Sequence, residues 1–543
     1  MNARASDAPA PAPVHSTETF HAPFNPWLIA VVATLATFME VLDTSIANVA
    51  LPHIAGNLGA SVTDSTWTLT SYLLANALVL PATAWLSAAI GRRNYYMLSV
   101  AVFTLSSLLC GFAPNLETLV FFRLLQGLGG GGLQPLTQAI LVDTFPPRQR
   151  GMGMAVYGMT VVVAPVIGPT FGGWITDNHD WRWIFFINVP IGLVALALSA
   201  RFITDPPYHV RSKGSARWHG DYVGLGLVAL GLASLQLALD LGERYDWLES
   251  RLIVGALAVA GLALLAGFLW EWNHAAPVVD IRVLSERNLG LSCLHMLIFG
   301  AVLFGTTALL PIFMQTLLGY TAQQSGMALS PGGMVIAVLM PLVGFLVARV
   351  DARWMVLSGV AVITLALWMM AGFTLEVDFR TLVIARIVQG FGLAFVFVPI
   401  NTIAYANVLP RDRNAASSLM SIARNIGGSI GIGATTAMLA RATQTNQNLL
   451  VAHLAPHEPA YRAALEALTQ RLTTAGGTAI GGDPEHAELA AQAVLASVLD
   501  AQARMLAFAQ QFAFLAVAFL ALVPVVLLMR KRAPGGHVEL VAE

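Results

Sequence analysis

Long apolar runs follow one another along nearly the whole chain, with short polar stretches between them. They lie at 27–50, 67–90, 95–112, 118–142, 152–174, 183–203, 222–240, 251–272, 289–315, 326–347, 354–373, 381–407, 415–438 and 507–529. A helix crosses the hydrocarbon with roughly 20 residues, because every backbone amide and carbonyl there must bond within its own segment. The pattern therefore predicts fourteen membrane spans. Two stretches fall outside it. Residues 1–26, rich in Ala and Pro, lack the basic start and small-residue cleavage site of a secretory signal and read as a disordered tail. Residues 439–506, between spans thirteen and fourteen, contain Tyr461–Leu472 with the spacing of an amphipathic helix. A structureless loop of that length would be unusual, which points to a function or a cap.

Composition agrees with this pattern. Hydrophobic residues make up 56% and charged residues 11%, with a mean hydropathy of +0.69, whereas a soluble domain carries about a quarter charged residues. The 29 basic and 30 acidic residues leave no basic face for nucleic acid. Cys110 and Cys293 sit in apolar runs without metal-ligand or disulfide spacing and read as buried small residues. With an even number of spans both termini share a side, and 18 of the 29 basic residues then fall on that side. By the positive-inside rule that side is the cytoplasm, and 439–506 lies on the opposite face.

The sequence repeats at an offset of 263. Arg123-Leu-Leu-Gln126-Gly127-Leu-Gly129 in span four returns as Arg386-Ile-Val-Gln389-Gly390-Phe-Gly392 in span twelve, and Pro147-Arg148-Gln-Arg150 returns as Pro410-Arg411-Asp-Arg413. Two similar halves imply a pseudo-twofold transporter with its site between them. Spans seven and eight have no counterpart in this register and read as an insertion.

Ionisable side chains deep in a span are costly and are functional hypotheses by default. Glu40 and Asp43 are the carboxylates well inside a span, three residues apart on one helix face, and Arg123 of span four lies at a similar depth. An acid beside an acid is pushed toward protonation while a nearby Arg pulls the other way, a combination suited to binding and releasing protons. The competing reading is a fixed buried pair that only holds the bundle together. Arg386, with no carboxylate in the spans of its own half, would bond backbone carbonyls or His295. Arg424 and Asn425 either face a cavity or pack. Further candidates for a shared cavity are Tyr72, Asn76, Gln126, Tyr157, Phe299, Gln315, Gln389, Phe397 and Asn401. In span five, Gly158, Pro165, Gly168, Pro169, Gly172 and Gly173 allow close helix approach and remove amide bonds, as a hinge or as tight packing.

Three elements carry a family resemblance: Leu42-Asp43-Thr44-Ser-Ile-Ala-Asn48-Val-Ala-Leu-Pro52, the Arg123-x-x-Gln-Gly element, and the span-five glycines and prolines. Trp181-Arg-Trp-Ile-Phe-Phe-Ile-Asn188-Val-Pro190-Ile-Gly192 at span six adds a fourth. With them the chain resembles the fourteen-span drug:proton antiporter group of the major facilitator superfamily, the EmrB/QacA type. One motif departs: the loop between spans two and three keeps Gly91, Arg92 and Arg93, but Ala88 and Ala89 stand where the family carries Asp and Arg. The charge relay of that motif lacks its acid here. The resemblance implies spans one and four as neighbours and a span-five element that seals or hinges the cavity. It also implies small-molecule drugs as substrates, a bacterial inner-membrane location, a periplasmic membrane-fusion adaptor of the EmrA type and an outer-membrane channel of the TolC type.

The expected architecture is an all-α polytopic membrane protein with fourteen transmembrane helices, two six-helix major-facilitator halves plus two inserted helices. Its parts are a cytoplasmic tail (1–26), an N-terminal half (27–203), a linker with the inserted pair (204–272), a C-terminal half (273–529) that includes the periplasmic 439–506, and a second cytoplasmic tail (530–543). Gly127-x-Gly129-x-x-Gly132 lacks the strand a dinucleotide site needs, and Gly427-x-Ser429-x-Gly431 lies in mid-helix, where no hydrolase elbow forms. Neither Lys213 nor Lys531 belongs to a P-loop, so no nucleotide or other cofactor is expected and an ion gradient is the drive. The expected activity is proton-coupled efflux of amphipathic or lipophilic compounds by alternating access, not enzyme catalysis. A dedicated exporter of one lipid-like or metabolite substrate, or a non-transporting sensor or scaffold, are the alternatives.

Overall fold

The computed structural model describes residues 23–146, 149–205, 221–274, 277–454, 458–475 and 484–530. Most of both expected tails, Pro147 and Arg148 of the first inner loop and most of the linker ahead of span seven lie outside these residues. The described chain is all helical and each of the fourteen apolar runs is helix over nearly all its length.

The N-terminal half consists of α1 (Pro26–Leu58), a short α2 (Val62–Ser65), α3 (Trp67–Ile90), α4 (Arg92–Gly111), α5 (Leu116–Gly130), α6 (Leu133–Thr144), α7 (Arg150–Asn178), a short α8 (Trp183–Phe186) and α9 (Asn188–Phe202). The inserted pair is α10 (Tyr222–Leu241) and α11 (Arg251–Asn273). The C-terminal half follows with α12 (Arg287–Thr316), α13 (Ala322–Leu346), α14 (Ala352–Ala371), α15 (Phe379–Ala404), α16 (Arg413–Val451), α17 (Pro459–Ala475), α18 (Pro484–Leu520) and α19 (Val523–Leu527). The repeat holds in the helices themselves: α5 and α15 begin 263 residues apart, as do α7 and α16.

Twelve of these helices are long and apolar enough to cross a membrane. Two of the fourteen runs fall short for physical reasons. Span four was expected to be continuous, but it is divided into α5 and α6 by a turn at Gly131 and Gly132, inside a run of four glycines. There Gly132 lies against the Tyr95 ring, and the missing side chains that allow this approach also remove the penalty for leaving the helix. Span thirteen lies in α16, which carries more polar side chains than its neighbours.

Local sequence explains where helices start. Asn25 accepts from the Trp27 amide ahead of Pro26, and Thr321 and Gln324 form a reciprocal capping box at the start of α13. At the tight entry to α4 the backbone of Gly91 has φ +94°, a conformation open to glycine.

The halves meet where α7 lies along α13 and where α16 packs on α3 and α6. Most polar bonds between them lie toward the ends expected to be cytoplasmic, while the Thr170 and Ser330 hydroxyls meet at 3.4 Å farther along α7. The inserted pair packs against α3, with a lighter contact to α16. At 39 and 37 residues, α16 and α18 are about 55–60 Å long, well beyond the roughly 30 Å of hydrocarbon. They project past the other helices, joined by Gln447 donating to Asp500 at 2.5 Å, and carry α17 against α18. The amphipathic stretch Tyr461–Leu472 lies within α17.

Candidate functional site

The N-terminal half brings Asp43 and Arg123 together. Nη1 of Arg123 donates to Oδ2 of Asp43 at 2.5 Å, with 0% and 1% of the two side chains exposed. The same nitrogen donates to Oε1 of Gln126 at 2.8 Å, and Nε2 of Gln126 donates to Oδ1 of Asp43 at 3.1 Å, closing a ring of three side chains. The i,i+3 spacing of Arg123 and Gln126 puts both on the face of α5 turned toward α1. Arg123 also donates from Nε to the Thr68 carbonyl and lies 4.4 Å from the Tyr72 ring centre. Asn188, at the start of α9, donates to Oδ1 of Asp43 at 2.7 Å. Asn188 was quoted in the span-six motif without a role; an amide at a helix break beside a long apolar run was the available signal. Cys110 is buried and unbridged, and its thiol reaches Oε1 of Gln126 at 3.6 Å.

Glu40, one helical turn earlier, joins a separate set of partners. The Tyr72 hydroxyl donates to Oε1 at 3.0 Å and Asn76 at 3.5 Å, while Nε2 of Gln134 donates to Oε2 at 2.7 Å. All are neutral donors. The two carboxylates of α1 thus differ in company: among the described residues, Asp43 has a guanidinium and Glu40 has none in direct contact. Gln134 continues the chain, since its Oε1 accepts from Nη2 of Arg424 in the other half. Arg424 is buried, donates from Nη1 to the Tyr157 hydroxyl at 3.1 Å and faces that ring. The Tyr157 ring lies tilted 6.0 Å from that of Phe397, which is 5.7 Å from Phe299, so these three cavity candidates form one aromatic cluster where α7, α12 and α15 meet. Gly158 lies against Phe397 and Met340, and Gly168 is so close to Ser45 that a methyl group would overlap its hydroxyl. Pro165 and Pro169 lie within a continuous α7; the Pro165 carbonyl accepts from Ser45 at 3.1 Å. Gly172 faces Ile46, and Gly173 is more open.

Toward the end expected to be cytoplasmic, Nη1 of Arg92 donates to Oδ2 of Asp143 at 2.6 Å, and Arg413 from the C-terminal half donates to Oδ1. Arg92, whose own loop has Ala88 in place of an acid, thus finds its carboxylate at the end of α6. Asp143 lies near the end of the fourth apolar run, and so is not among the carboxylates that stand out as deep in a span. Arg93 donates from its backbone amide to Asp205 at 2.7 Å and from its side chain to the Ala200 carbonyl.

Arg386 does not reach His295: its acceptor is Oε1 of Gln389, whose Nε2 donates to Thr306 at 3.0 Å. His295 lies about three helical turns from Thr306 on α12, buried against the Phe519 ring, and neither ring nitrogen has a partner among the described residues. Gln315 is exposed near the end of α12. Asn425 is half-buried beside Arg424. Asn401 accepts from Gln138.

Among known proteins, the Major Facilitator Superfamily profile matches residues 33–432. The multidrug export protein EmrB of Haemophilus influenzae is 38% identical over 433 residues, covering 80% of this chain and 84% of that protein. The fatty acid resistance protein FarB of Neisseria gonorrhoeae is 37% identical over 445 residues, covering 82% and 87%. The fold is also that of the human organic anion transporter TETRAN, with a TM-score of 0.57 and 13% identity over 93% of this chain and 100% of that one. The proton:xylose symporter XylE aligns with a TM-score of 0.55 and 14% identity, over 92% and 96%. With the profile spanning most of its length and relatives of this identity, the chain belongs to the major facilitator superfamily, among the EmrB-type export proteins.

Proposed function

We propose that this transporter is a proton-coupled multidrug efflux pump of the bacterial inner membrane, with both termini cytoplasmic, exporting amphipathic or lipophilic compounds by alternating access. The observation that carries the reading is the line Glu40–Gln134–Arg424, an acid of one half wired to a cation of the other through one amide. Ionised, Glu40 only accepts, so Gln134 turns its NH2 toward it and its carbonyl toward Arg424. Protonated on the oxygen facing Gln134, Glu40 becomes a donor there and the amide must reverse. Its NH2 then faces the Arg424 guanidinium, which has only donors to offer, and the bond between the halves is lost. Proton binding thereby loosens one of the contacts between the halves, while the Asp43–Arg123–Gln126 ring holds the neighbouring face of α1 in register.

The partners follow from the family and from shape. The helices α16, α17 and α18 extend beyond the spans on the side away from the Asp143 cluster, in reach of a periplasmic adaptor of the EmrA type and, through it, an outer-membrane channel of the TolC type. Cross-linking from Tyr461 in cells carrying the adaptor tests this; no adduct would leave the extension as a cap. A dedicated exporter of a lipid-like acid is the second reading, favoured by the similarity to FarB. Proteoliposomes with an imposed pH gradient test the first: dye and lipophilic drugs move in exchange for protons in the wild type and stop in Glu40→Gln. A panel in which a single acid alone moves supports the second reading.

A further inference from the structure

The repeat places Thr306 on α12 at the position that Asp43 holds on α1, 263 residues earlier. The side chains around both positions match. In the first repeat Arg123 donates to Gln126 and Gln126 donates to Asp43 at 3.1 Å. In the second, Arg386 donates to Gln389 and Gln389 donates to Thr306 at 3.0 Å. Two of the three bonds recur, but a hydroxyl stands where the carboxylate was, and no bond from Arg386 to Thr306 closes the ring. Thr306 gives its own proton to the Val302 carbonyl at 2.7 Å, so it offers no charge to the guanidinium. Arg386 is 3% exposed, and its one acceptor among the described residues is the neutral Gln389. Its Nε is buried without an acceptor there. Burying an unpaired cation is costly, and the Nε edge of a guanidinium is one of the edges that takes a carboxylate in two parallel bonds.

Resting on the export reading above, we infer that Arg386 is the anion site of the C-terminal half, and that the missing acid is supplied by the substrate, an amphipathic monoanion whose carboxylate or sulfonate meets the Nε edge beside Thr306. Gly332 of α13 lies against the Arg386 backbone and Val166 of α7 against Gly333. The site therefore adjoins the contact between the halves, and a change in that contact would open it to substrate. The two repeats divide the work: one holds its own anion on Arg123, and the other leaves Arg386 for cargo.

The test uses the full-length protein in proteoliposomes with an imposed pH gradient, with glycocholate as the anionic probe and tetraphenylphosphonium as the cationic one. The ratio of anion to cation transport falls at least tenfold in Arg386→Gln. Thr306→Asp gives the same fall by installing the acid that the first repeat already tolerates, and it keeps the test decisive should Arg386→Gln fail to fold. A ratio within about twofold of the wild type in Thr306→Asp overturns the inference. Wild-type transport of the cation without the anion overturns it while leaving the export reading intact, and transport of neither overturns both.

Discussion

Gln138 and Asn401 occupy equivalent positions of the two repeats, 263 residues apart, and they touch, with Nε2 of Gln138 donating to Oδ1 of Asn401 at 2.5 Å. A residue meets its own repeat counterpart only near the axis that relates the halves, so the pseudo-twofold passes between these two amides. Both are buried. Replacing Gln138 with Leu strips a buried carbonyl oxygen of its donor, a loss of about 1–3 kcal/mol. The expected outcome is a lower melting temperature in detergent, partly restored when Asn401 is also changed to Leu.

Asp143 links the halves more strongly, holding Arg92 on one oxygen and Arg413 on the other. Asp143→Asn leaves two guanidiniums without their carboxylate, and breaking a buried pair from one side costs roughly 3–5 kcal/mol. The closed arrangement at this end then loses its main tie. A cysteine at Ser87, buried and bonded to Asn414 at 3.3 Å, is expected to react several-fold faster with a hydrophilic thiol reagent applied from that side. Unchanged labelling would show that the tie does not govern access.

Outside the membrane spans, Asp64 accepts from Ser61 at 2.6 Å and from Arg244 at 3.2 Å, tying the loop after α1 to the inserted pair. These two donors hold its carboxyl below the ordinary value of 3.8. A depressed carboxylate contributes its stabilisation above the ordinary value and loses it as the pH falls through the folded one. Hydrogen exchange over Ser61–Ser65 is therefore expected to quicken below about pH 4, at moderate rather than high salt, because an exposed pair is screened. Asp64→Asn should remove that acid step.

The fold was legible because a span must satisfy its own backbone, which leaves long apolar runs in plain view. Asp43 and Arg123 were legible for the converse reason: charges are so costly in such runs that each one stands out. The break at Gly131–Gly132 was not, since glycines within an apolar run signal close packing as readily as a turn. Asp143 was missed because its second partner, Arg413, lies 270 residues away, and no local spacing announces a contact between halves. Gln134 was missed as an amide among many; it matters because Glu40 and Arg424 arrive on either side of it. His295 misled as the titratable group on α12, yet it sits in a ring-lined part of the core.

Gly427 separates packing from flexibility. A methyl group there would run into the Leu297 carbonyl of α12, whereas one at Gly56 meets nothing within 4 Å. Gly427→Ala is expected to cost about 1–3 kcal/mol through overpacking. Gly56→Ala, in a helix interior, is expected to be neutral or to stabilise by up to about 1 kcal/mol. Thermal unfolding of the two variants side by side checks the contrast.

The central claim is that Glu40 carries the coupled proton and signals it through Gln134 to Arg424. Proton and dye fluxes recorded together in proteoliposomes after a pH jump test it most directly, in the wild type, Glu40→Gln and Gln134→Leu. The account predicts coupled fluxes in the wild type, no proton flux in Glu40→Gln, and dye movement at least tenfold slower and no longer driven by the gradient in Gln134→Leu. Undiminished, gradient-driven dye export in Glu40→Gln would contradict it.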